Sequence, residues 1–431
     1  MSVVRVAPPA AGLRGTLVVP GDKSIAHRAL LLGALADGTT TVSGVPGGGD
    51  VRSTLGAIRA LGATVEERDG TVRIEGRGLA LGAATRLDCG NSGTTMRLGA
   101  GLVAGAPATV TLDGDASLRR RPMERVAAPL RAMGAAVETT AGHAPLTVRG
   151  GRLGAVDWTL PVASAQVKSA ILFAALRARG TTRVREPLPT RDHSERLLAH
   201  LGARIACTAE AVSLDGGHPL RGGHVALPGD VSSAAFLVVA ALLVPGSDLC
   251  LTGIGVNPTR TGALAILRRM GAPIEVAGTH DIANEPRAEL RARSARLHGT
   301  TVTPAEVPAA IDELPILCVA AAYAHGETVV EGAGELRVKE SDRIAALEQL
   351  RLLGVDVRTT ADGLVIRGSG GRRLAGARVE SHGDHRIAMA FAVAGLVADG
   401  AVEIADAGSA DVSFPGFFAR LAELGASVEQ G

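Results

Sequence analysis

A pattern that recurs six times constrains the fold of this 431-residue chain more than any other feature. In each copy, a Leu or Met at the end of a predicted helix precedes a Gly, a small or β-branched residue and a predicted strand. The copies lie roughly 70 residues apart, a period that indicates repeated supersecondary units. Their glycines are Gly62, Gly134, Gly202, Gly271, Gly354 and Gly425. The chain is therefore predicted to contain six copies of one structural unit.

Each copy also contains a second kind of helix, which is apolar on almost every side. Such a helix must be buried within its domain, because it has no polar face to turn toward water. A strand-like segment with β-branched or alternating residues follows each one. The six predicted buried helices are SIAHRALLLGALA, SGTTMRLGAGLVA, SAQVKSAILFAAL, SSAAFLVVAALLV, IDELPILCVAAAY and HRIAMAFAVAGLVA. We predict that each unit consists of a buried helix, a strand, an amphipathic helix and one or two further strands.

Two of the buried helices begin with nearly the same sequence. PGDKSIA starts at Pro20, and PGDVSSA starts at Pro228. This echo divides the six units into two sets of three, and a chain of this length also exceeds what one ordinary core supports. We predict a continuous domain over residues 21–228 and a discontinuous domain over residues 1–20 plus 229–431.

The overall composition argues against nucleic-acid and membrane partners. The formal net charge is +2 and aromatic residues make up 2% of the chain, so neither a global positive field nor a set of stacking side chains is present for nucleic acid. The longest apolar run, Ala234 to Pro245, is too short to span a bilayer, and the N-terminus lacks a signal-peptide pattern. Four widely separated cysteines form no metal-ligand spacing. We expect a cytoplasmic enzyme or binding protein.

Cations recur at the predicted starts of helices, where the helix dipole is already positive and a cation costs roughly 0.3–1 kcal/mol. One such residue carries little information, but several together suggest an anionic partner, since helix N-termini with added cations bind phosphate or carboxylate groups. The residues are Lys23, Arg28, Arg97, Lys168, Arg343 and Arg386. We predict a polyanionic ligand, with solvated surface charges near loops as the alternative.

Lysine is nearly absent from the chain. Among 45 Lys and Arg residues, only Lys23, Lys168 and Lys339 are lysines. An ammonium group is compact, strongly hydrated and able to lower its pKa when partly buried, whereas a guanidinium is a planar fork. Lysine is therefore predicted to persist only where a guanidinium would not serve.

Four motifs together resemble those of the 5-enolpyruvylshikimate-3-phosphate synthase family. They are PGDKSIAHR, GNSGTTMRL, RVKESDRI and GDHRIAM, in this order along the chain, and the resemblance extends over essentially the whole sequence. It implies an α/β fold of two domains, the enolpyruvyl transferase fold or inside-out α/β barrel. In that fold six βαβαββ repeats are divided three to each domain, and a ligand cleft lies between the domains.

The resemblance also implies a reaction. Family members transfer the enolpyruvyl group of phosphoenolpyruvate to the 5-hydroxyl of shikimate 3-phosphate and release phosphate, in the shikimate pathway that leads to chorismate and the aromatic amino acids. Both substrates are anions, which would account for the cations at helix starts. Because a C–O bond breaks, no metal or cofactor is expected to activate phosphorus. The family is usually monomeric, and we expect a monomer here.

The resemblance assigns three catalytic positions. Lys23 would lie beside the reacting centre, Asp312 would take the hydroxyl proton, and Glu340 would exchange a proton with the methylene carbon. The residues implied to bind shikimate 3-phosphate are Lys23, Ser24, Arg28, Ser164, Ala165, Gln166, Arg191, Asp312 and Lys339. The residues implied to bind phosphoenolpyruvate are Lys23, Asn91, Gly93, Arg121, Gln166, Arg343 and Arg386.

Several of these positions also have plainer interpretations. Ser24 and Asp312 are residue types that cap helices, and Asn91 is a common turn residue. His193 is expected to be structural, and the resemblance assigns no role to Lys168. These alternatives concern single residues, whereas the functional prediction depends on their joint occurrence.

One departure and two rival functions accompany the resemblance. Many members carry a lysine two residues before a Phe-Pro near the C-terminus, but Val412 stands there in this chain, so that contact is expected to be absent. The segments GDKS, SAQVKSA and TRDHSER together resemble the branch often called class II. The sister family, UDP-N-acetylglucosamine enolpyruvyl transferase, uses a loop with a cysteine or aspartate acid; the comparable segment DASLRRRP has no cysteine. A non-catalytic anion-binding protein is the second rival, and the joint presence of Lys23, Asp312 and Glu340 argues against it.

Overall fold

The computed structural model of the protein describes residues 2–78 and 85–430. The chain divides into two compact units. Unit one comprises Met1–Pro20, Pro228–His280 and Pro286–Gly431, and unit two comprises Gly21–Leu227 and Asp281–Glu285. Among the described residues, no helix is both long and apolar enough to cross a membrane.

Helices and short strands alternate along the described residues. From the N-terminus to residue 227 the elements are β1 (Val3–Ala7), β2 (Arg14–Leu17), α1 (Lys23–Leu35), β3 (Thr39–Ser43), α2 (Gly49–Ala60), β4 (Thr64–Arg68), β5 (Thr71–Glu75), β6 (Arg86–Asp88), α3 (Gly93–Ala104), β7 (Thr109–Asp113), α4 (Ala116–Arg119), α5 (Glu124–Ala132), β8 (Ala136–Thr140), β9 (His143–Arg149), β10 (Leu153–Gly154), β11 (Asp157–Thr159), α6 (Ala165–Ala175), β12 (Ala178–Arg179), β13 (Thr181–Arg185), α7 (His193–His200), β14 (Arg204–Cys207), β15 (Val212–Asp215) and β16 (His224–Ala226).

The second half of the chain continues the same alternation. Its elements are α8 (Val231–Leu243), β17 (Asp248–Gly255), α9 (Gly262–Arg269), β18 (Ile274–Ile282), β19 (Glu285–Arg293), β20 (Thr301–Val302), α10 (Val307–Ala310), α11 (Leu314–Tyr323), β21 (Glu327–Val330), α12 (Arg343–Leu347), β22 (Asp356–Thr359), β23 (Leu364–Arg367), β24 (Arg378–Glu380), α13 (His385–Gly395), β25 (Val402–Ala405), α14 (Phe417–Glu423) and β26 (Ser427–Gln430), with 3-10 turns at Gly334–Val338, Glu348–Leu353 and Ala407–Val412.

The strands of the described residues form six four-stranded sheets with one shared plan, and a separate pair, β10 with β12. In each four-stranded sheet, the strand that follows a buried helix pairs with a parallel strand on one side and an antiparallel strand on the other. The strand orders are β16-β3-β5-β4, β6-β7-β9-β8 and β11-β13-β15-β14 in unit two, and β18-β19-β17-β2, β20-β21-β23-β22 and β24-β25-β1-β26 in unit one. Six sheets of one plan correspond to the six predicted repeats.

The N-terminal strands complete sheets that are otherwise built from the C-terminal half. Strand β1 lies between β25 and β26 and is antiparallel to both, in the place that β5 occupies in the first sheet of unit two. Strand β2 pairs in parallel with β17. The chain therefore begins part-way through a repeat, and its last repeat is completed by its first strand.

The six repeat glycines share a backbone conformation that explains their recurrence. Each follows the helix or 3-10 turn that precedes an outer strand, and each has φ between 82° and 107°. L-residues with a side chain are strained there, whereas Gly is not, so it ends the helix and redirects the chain. The repeat found in the sequence is thus a repeated helix stop.

The six helices predicted to be buried form the cores of the two units. Helices α1, α3 and α6 are buried in unit two, and α8, α11 and α13 are buried in unit one, where every residue of α8 is buried. Five of them start at a side-chain cap, provided by Asp22, Ser92, Ser164, Asp230 and Asp384. The capping interpretations of Ser24 and Asp312 are wrong, because the cap positions of α1 and α11 fall on Asp22 and Glu313.

Candidate functional site

The start of α1 in unit two carries a lysine held by a carboxylate. Lys23 Nζ lies 2.8 Å from Asp50 Oδ2, at the start of α2, and both side chains are mostly buried. The Asp22 side chain accepts a hydrogen bond from the backbone N–H of Ile25 and so fixes the first turn. Lys23 therefore presents an ordered charge at the end of a buried helix.

Arg28 lies one turn further along α1 and is buried. Its Nε donates to Ser194 Oγ at 2.8 Å, and its Nη2 donates to Ser169 Oγ at 2.9 Å. Its Nη1 donates to the backbone oxygen of Ser24 at 2.9 Å. The Ser24 hydroxyl also lies 3.3 Å from Nη1 of Arg191. The structure thus brings together Ser24, Arg28 and Arg191, which the sequence predicted as one anion-binding group.

A second group surrounds the start of α3. Arg121 donates to Asn91 Oδ1 at 2.7 Å, and Asn91 Nδ2 in turn donates to Asp115. A Cβ added at Gly93 would lie 3.0 Å from Nη1 of Arg97 and 3.2 Å from Nη1 of Arg121. These distances are tighter than ordinary van der Waals contact, so the absence of a side chain at Gly93 allows two guanidinium groups to approach the helix start.

Gln166 joins this second group to α6. Its Oε1 accepts from Arg97 Nη1, and its Nε2 donates to Thr94 Oγ1 at 2.9 Å. Ser164 caps α6, and Ala165 is the first residue of that helix. Arg97, one of the cations at the helix starts, thus contacts a glutamine that is itself a predicted ligand residue.

A buried hydrogen-bond chain runs from α1 to the cap of α3. His27 Nδ1 lies 2.6 Å from Thr54 Oγ1, Thr54 lies 2.7 Å from Thr95 Oγ1, and the Thr95 hydroxyl donates to Ser92 Oγ at 2.7 Å. Burial lowers the pKa of His27 to about 3. The charge of Asp50 raises this pKa and the charge of Lys23 lowers it, and both effects are smaller than that of burial. His27 is therefore neutral near pH 7 and acts as part of a polar scaffold.

Lys168 lies in a buried cluster of three charges, which we call the Lys168 cluster. Its Nζ lies 2.6 Å from Glu186 Oε2 and 2.7 Å from Glu195 Oε1, and its side chain is 1% exposed. Burial would lower the pKa of Lys168, but Glu195 and Glu186 outweigh it and the pKa is raised. Burial also raises the pKa of Glu195, against the effect of Lys168. The cluster joins α6 to α7, beside the two serines that bind Arg28.

His193 belongs to the same end of unit two. Its Nδ1 lies 2.7 Å from Glu285 Oε1, and both side chains are buried. Glu285 is in the short segment Asp281–Glu285 that belongs to unit two. The predicted structural role of His193 agrees with this buried pairing.

In unit one, Asp312 lies among three cations that come from two motifs, RVKESDRI and GDHRIAM. Asp312 Oδ1 lies 3.6 Å from Lys339 Nζ and 3.7 Å from Arg343 Nη1, and Oδ2 lies 3.9 Å from Arg386 Nη2. Arg386 also donates to the backbone oxygen of Asp312 at 2.8 Å. The carboxylate therefore lies close to three positive charges.

Arg343 is held rigidly by two carboxylates. Its Nε donates to Asp384 Oδ2 at 2.8 Å, and its Nη2 donates to Glu340 Oε2 at 2.7 Å. Burial would lower the pKa of Arg343, but Asp384 and Glu340 outweigh it and hold the pKa above its usual range. Burial likewise opposes ionisation of Asp384, yet Arg343 keeps the pKa of that carboxyl below its usual value. Both partners are charged near pH 7, so the geometry is fixed.

Glu313 is a site residue that the sequence prediction missed. It is buried next to Asp312 and accepts a hydrogen bond from the Ser232 hydroxyl, and its Oε1 lies 3.8 Å from Arg260 Nη2. Its Oε1 also lies 3.9 Å from Arg386 Nη1. The acidic neighbour of Asp312 in the segment AIDELP was the available signal, but nothing in the sequence identifies its partners.

The candidate site residues of unit two and those of unit one are suited to different chemical tasks. Unit two offers cations and hydroxyl groups around helix starts, a combination suited to phosphate and carboxylate ligands. Unit one adds carboxylates among cations, which can exchange protons with a bound substrate. No group of three or more His, Cys, Asp or Glu residues in the described ranges is placed to hold a metal ion.

A family model described as EPSP synthase (3-phosphoshikimate 1-carboxyvinyltransferase) matches residues 8–421. The chain belongs to the EPSP synthase family. A 3-phosphoshikimate 1-carboxyvinyltransferase from Halorhodospira halophila is 55% identical over 99% of this chain and 96% of the relative, and one from Desulforudis audaxviator is 53% identical over 96% of this chain and 98% of the relative. The structure of EPSP synthase from Acinetobacter baumannii superposes with a TM-score of 0.89 at 43% identity and covers 100% of both chains.

These relatives confirm three predictions made from the motifs. The family is that of the EPSP synthases, the fold is their two-domain α/β fold, and the enzyme class is that of the 3-phosphoshikimate 1-carboxyvinyltransferases. The alternative assignment to the UDP-N-acetylglucosamine enolpyruvyl transferases is not favoured. The roles of single residues remain predictions, which the geometry above makes specific.

Proposed function

We propose that this EPSP synthase family member transfers the enolpyruvyl group of phosphoenolpyruvate to the 5-hydroxyl of shikimate 3-phosphate, with the predicted residues in the roles given below. The observation that carries this assignment of roles is the network in unit one. Asp312, Lys339, Glu340, Arg343 and Arg386 come from three segments of the chain, and Asp312 and Arg386 are 74 positions apart, yet hydrogen bonds and ion pairs connect all five. Such convergence favours an active site over a set of unrelated surface charges.

The proposed reaction requires two proton transfers at carbon and one at oxygen. The acceptor hydroxyl loses its proton as its oxygen bonds to C2 of phosphoenolpyruvate, while C3 gains a proton. The tetrahedral intermediate then loses phosphate by cleavage of the C2–O bond, and C3 returns a proton to restore the double bond. We assign the hydroxyl proton to Asp312 and the exchange at C3 to Glu340.

The environment of each carboxylate supports these roles. Asp312 lies 3.6–3.9 Å from three cations, and its carboxylate oxygens can accept the proton of a hydroxyl group held beside them. Glu340 is hydrogen-bonded to Arg343, which is fixed in turn by Asp384. A fixed partner limits the positions that the Glu340 carboxyl can adopt and so favours delivery of a proton to one carbon atom.

The remaining residues are proposed to bind the two anions. For shikimate 3-phosphate the proposed ligands are Lys23, Ser24, Arg28, Ser164, Ala165, Gln166, Arg191, Asp312 and Lys339. For phosphoenolpyruvate they are Lys23, Asn91, Gly93, Arg121, Gln166, Arg343 and Arg386. In unit two the hydrogen bonds separate these into an Arg28 group and an Arg121 group, which supports two anion positions rather than one.

We further propose that the enzyme is a cytoplasmic monomer. The family resemblance and the composition of the chain support this, and sedimentation together with cell fractionation would test it. A dimer at micromolar protein concentration would contradict the monomer.

Phosphate release tests the proposed reaction directly. The protein is incubated with phosphoenolpyruvate and either shikimate 3-phosphate or UDP-N-acetylglucosamine, and inorganic phosphate is measured. Release is expected only with shikimate 3-phosphate, and Asp312→Asn is expected to reduce kcat at least 100-fold while the protein stays folded, since a well-placed base contributes about 10²–10⁴ in rate. No release with shikimate 3-phosphate would refute the proposal, and an undiminished Asp312→Asn enzyme would refute the role of that carboxylate.

A further inference from the structure

Glu313 is a buried carboxylate that the proposed reaction does not use. Its side chain is 1% exposed, and it lies between the starts of α8, α11 and α13 in unit one. Its Oε1 accepts a hydrogen bond from the Ser232 hydroxyl and lies 3.8 Å from Arg260 Nη2 and 3.9 Å from Arg386 Nη1. A carboxylate so fully removed from water needs partners of this kind, because an unpaired buried charge is very costly.

Two similar sequences at the starts of α1 and α8 show what the position of Glu313 corresponds to in unit two. PGDKS and PGDVS begin the equivalent helices α1 and α8, and their aspartates, Asp22 and Asp230, cap those helices. The serine two positions after each aspartate is therefore equivalent in the two units. In unit two this serine is Ser24, whose hydroxyl lies 3.3 Å from an arginine. In unit one it is Ser232, whose hydroxyl accepts from Arg260 at 2.7 Å and donates to Glu313.

Both helix starts thus combine a serine hydroxyl with a guanidinium, a combination suited to an anion. At α1 we have proposed that the anion is the substrate. At α8 the chain supplies its own carboxylate, and Arg260 is held there by Asp230 at 3.3 Å as well as by Ser232. Glu313 therefore occupies, inside unit one, the place that corresponds to a ligand position in unit two.

The Glu313 carboxylate lies next to Arg386, one of the residues proposed to bind phosphoenolpyruvate. Arg386 Nη1 lies 3.9 Å from Glu313 and donates to the backbone oxygen of Asp312 at 2.8 Å. A change at the Glu313 carboxylate would therefore act first on Arg386, the proposed donor-binding arginine. Arg386 is itself buried, and its orientation depends on the few groups that surround it.

We propose that Glu313 is a positioning residue, an internal carboxylate that fills the anion position at the start of α8 and thereby orients Arg386 for the enolpyruvyl donor. This inference rests on the function proposed above. It assigns no contact between Glu313 and a substrate, and it distinguishes Glu313 from a residue that only stabilises the packing of α8 against α11.

Steady-state kinetics on Glu313→Gln tests the orientation of Arg386. The variant keeps the shape of the side chain and one hydrogen bond but removes the charge, so we expect the KM for phosphoenolpyruvate to rise about 10-fold, the size of one charge-assisted contact. The KM for shikimate 3-phosphate should change less than about two-fold. The matched control is Glu331→Gln, an exposed glutamate, which should leave both constants unchanged. An unchanged KM for phosphoenolpyruvate in Glu313→Gln, or equal losses in both constants, would overturn the inference.

A binding measurement tests the anion position without using activity. In Glu313→Ala the serine and the two arginines remain but the carboxylate is gone, so added formate should occupy the vacated position. We expect 100 mM formate to raise the thermal midpoint of Glu313→Ala more than that of the wild type, and formamide, which is neutral, to have no such effect. Equal responses of the two proteins would overturn the inference. If Glu313→Ala does not fold, the same comparison is made with Glu313→Ser.

The two measurements also separate this inference from the proposed function. A wild-type protein that releases no phosphate contradicts the proposed function, and the formate experiment then still decides whether an internal anion is held at α8. An active wild type with a formate-insensitive Glu313→Ala and a normal Glu313→Gln contradicts only the role of Glu313.

Discussion

Replacement of Lys168 by methionine is the perturbation for which the structure predicts the largest single effect on stability. Lys168→Met removes the charge of the Lys168 cluster and keeps an unbranched side chain of similar length. The ammonium group lies 2.6 Å and 2.7 Å from two carboxylates and is 1% exposed. Its loss would leave Glu186 and Glu195 facing each other without a cation.

The expected magnitude follows from the burial of the three groups. Removal of one partner from a buried ion pair costs about 3–5 kcal/mol, because the remaining charge is uncompensated. Glu195 is the more buried carboxylate, with a 4% exposed side chain, and we expect most of the loss to arise there. Lys168→Met should therefore lower the free energy of unfolding of unit two by about 3–5 kcal/mol at pH 8.

The stability lost in Lys168→Met should depend on pH, and the raised pKa of Glu195 determines the direction of that dependence. Burial raises the pKa of Glu195 in the folded protein above the ordinary value of 4.5. A raised folded pKa gives stability that is present below pH 4.5 and is lost as the pH rises. Without Lys168 this effect should grow, so the difference between Lys168→Met and the wild type should be smallest near pH 4.5 and largest near pH 8.

The single tryptophan of the chain allows unit two to be observed separately. Trp158 is in β11 of that unit, and its partly buried ring packs against the unit-two core. Urea denaturation followed by tryptophan fluorescence at pH 4.5, 6 and 8 would measure the effect. Arg183→Met, which removes an exposed cation from β13, is the control and should change the free energy of unfolding by less than about 0.5 kcal/mol.

A double-mutant cycle tests whether Lys168 and Glu195 interact as the structure indicates. Glu195→Gln removes one carboxylate charge, so its combination with Lys168→Met should be less destabilising than the sum of the single changes, by about 1–3 kcal/mol. A loss below about 1 kcal/mol for Lys168→Met at pH 8, or a loss that does not depend on pH, would show that the cluster is not the buried charge system described here.

Three further predictions concern groups around the starts of α1 and α3. Gly93→Ala places a Cβ 3.0 Å and 3.2 Å from two guanidinium groups, so steady-state kinetics should show a several-fold higher KM for phosphoenolpyruvate and an unchanged KM for shikimate 3-phosphate. Lys23→Arg should fold normally but lose most of its kcat in the phosphate-release assay, because a planar fork cannot reproduce the compact ammonium that lies 2.8 Å from Asp50; near-normal turnover would contradict this. Since burial lowers the pKa of His27 to about 3, only the unfolded chain gains its proton between pH 6.5 and 3. The urea midpoint, followed by tryptophan fluorescence, should therefore fall as the pH is lowered over that range, and it should fall less in His27→Asn. An equal pH dependence of the midpoint in the two proteins would exclude the contribution of His27.

Much of the fold could be predicted from the sequence because its determinants are local. A helix stop with positive φ requires Gly, and this requirement recurs once in each repeat. Helices without a polar face must be buried, and all six that the sequence indicated are. Periodicity depends on neighbours in the chain, so a single sequence displays it, whereas the exact cap residue was misplaced at α1 and α11.

The partners of the charged side chains could not be predicted in the same way. Arg343 is paired with Asp384, which is 41 positions away, and the motif that contains Asp384 does not indicate this pairing. Lys168 was singled out because lysine is rare and because it lies near a predicted helix start, but the identity of its carboxylates depends on how α6 and α7 pack. Glu313 was overlooked because the side chains that contact it, among them Ser232 in α8 and Arg260 just before α9, are far from it in the sequence. Such pairs are set by tertiary packing, which a single sequence does not reveal.

The position of β1 has a consequence for how the protein is made. Val4 pairs with both Ile404 and Gln430, so β1 leaves the ribosome long before β25 and β26, its partners on either side, are made. At about 5–20 residues per second, synthesis of the intervening chain takes roughly 20–80 s. During that time an alternating apolar strand, whose Val4 and Val6 are buried in the folded protein, stays open to pairing with other chains. Unit two can fold much earlier, so the nascent chain carries an unfinished unit at both of its ends while its middle is already folded.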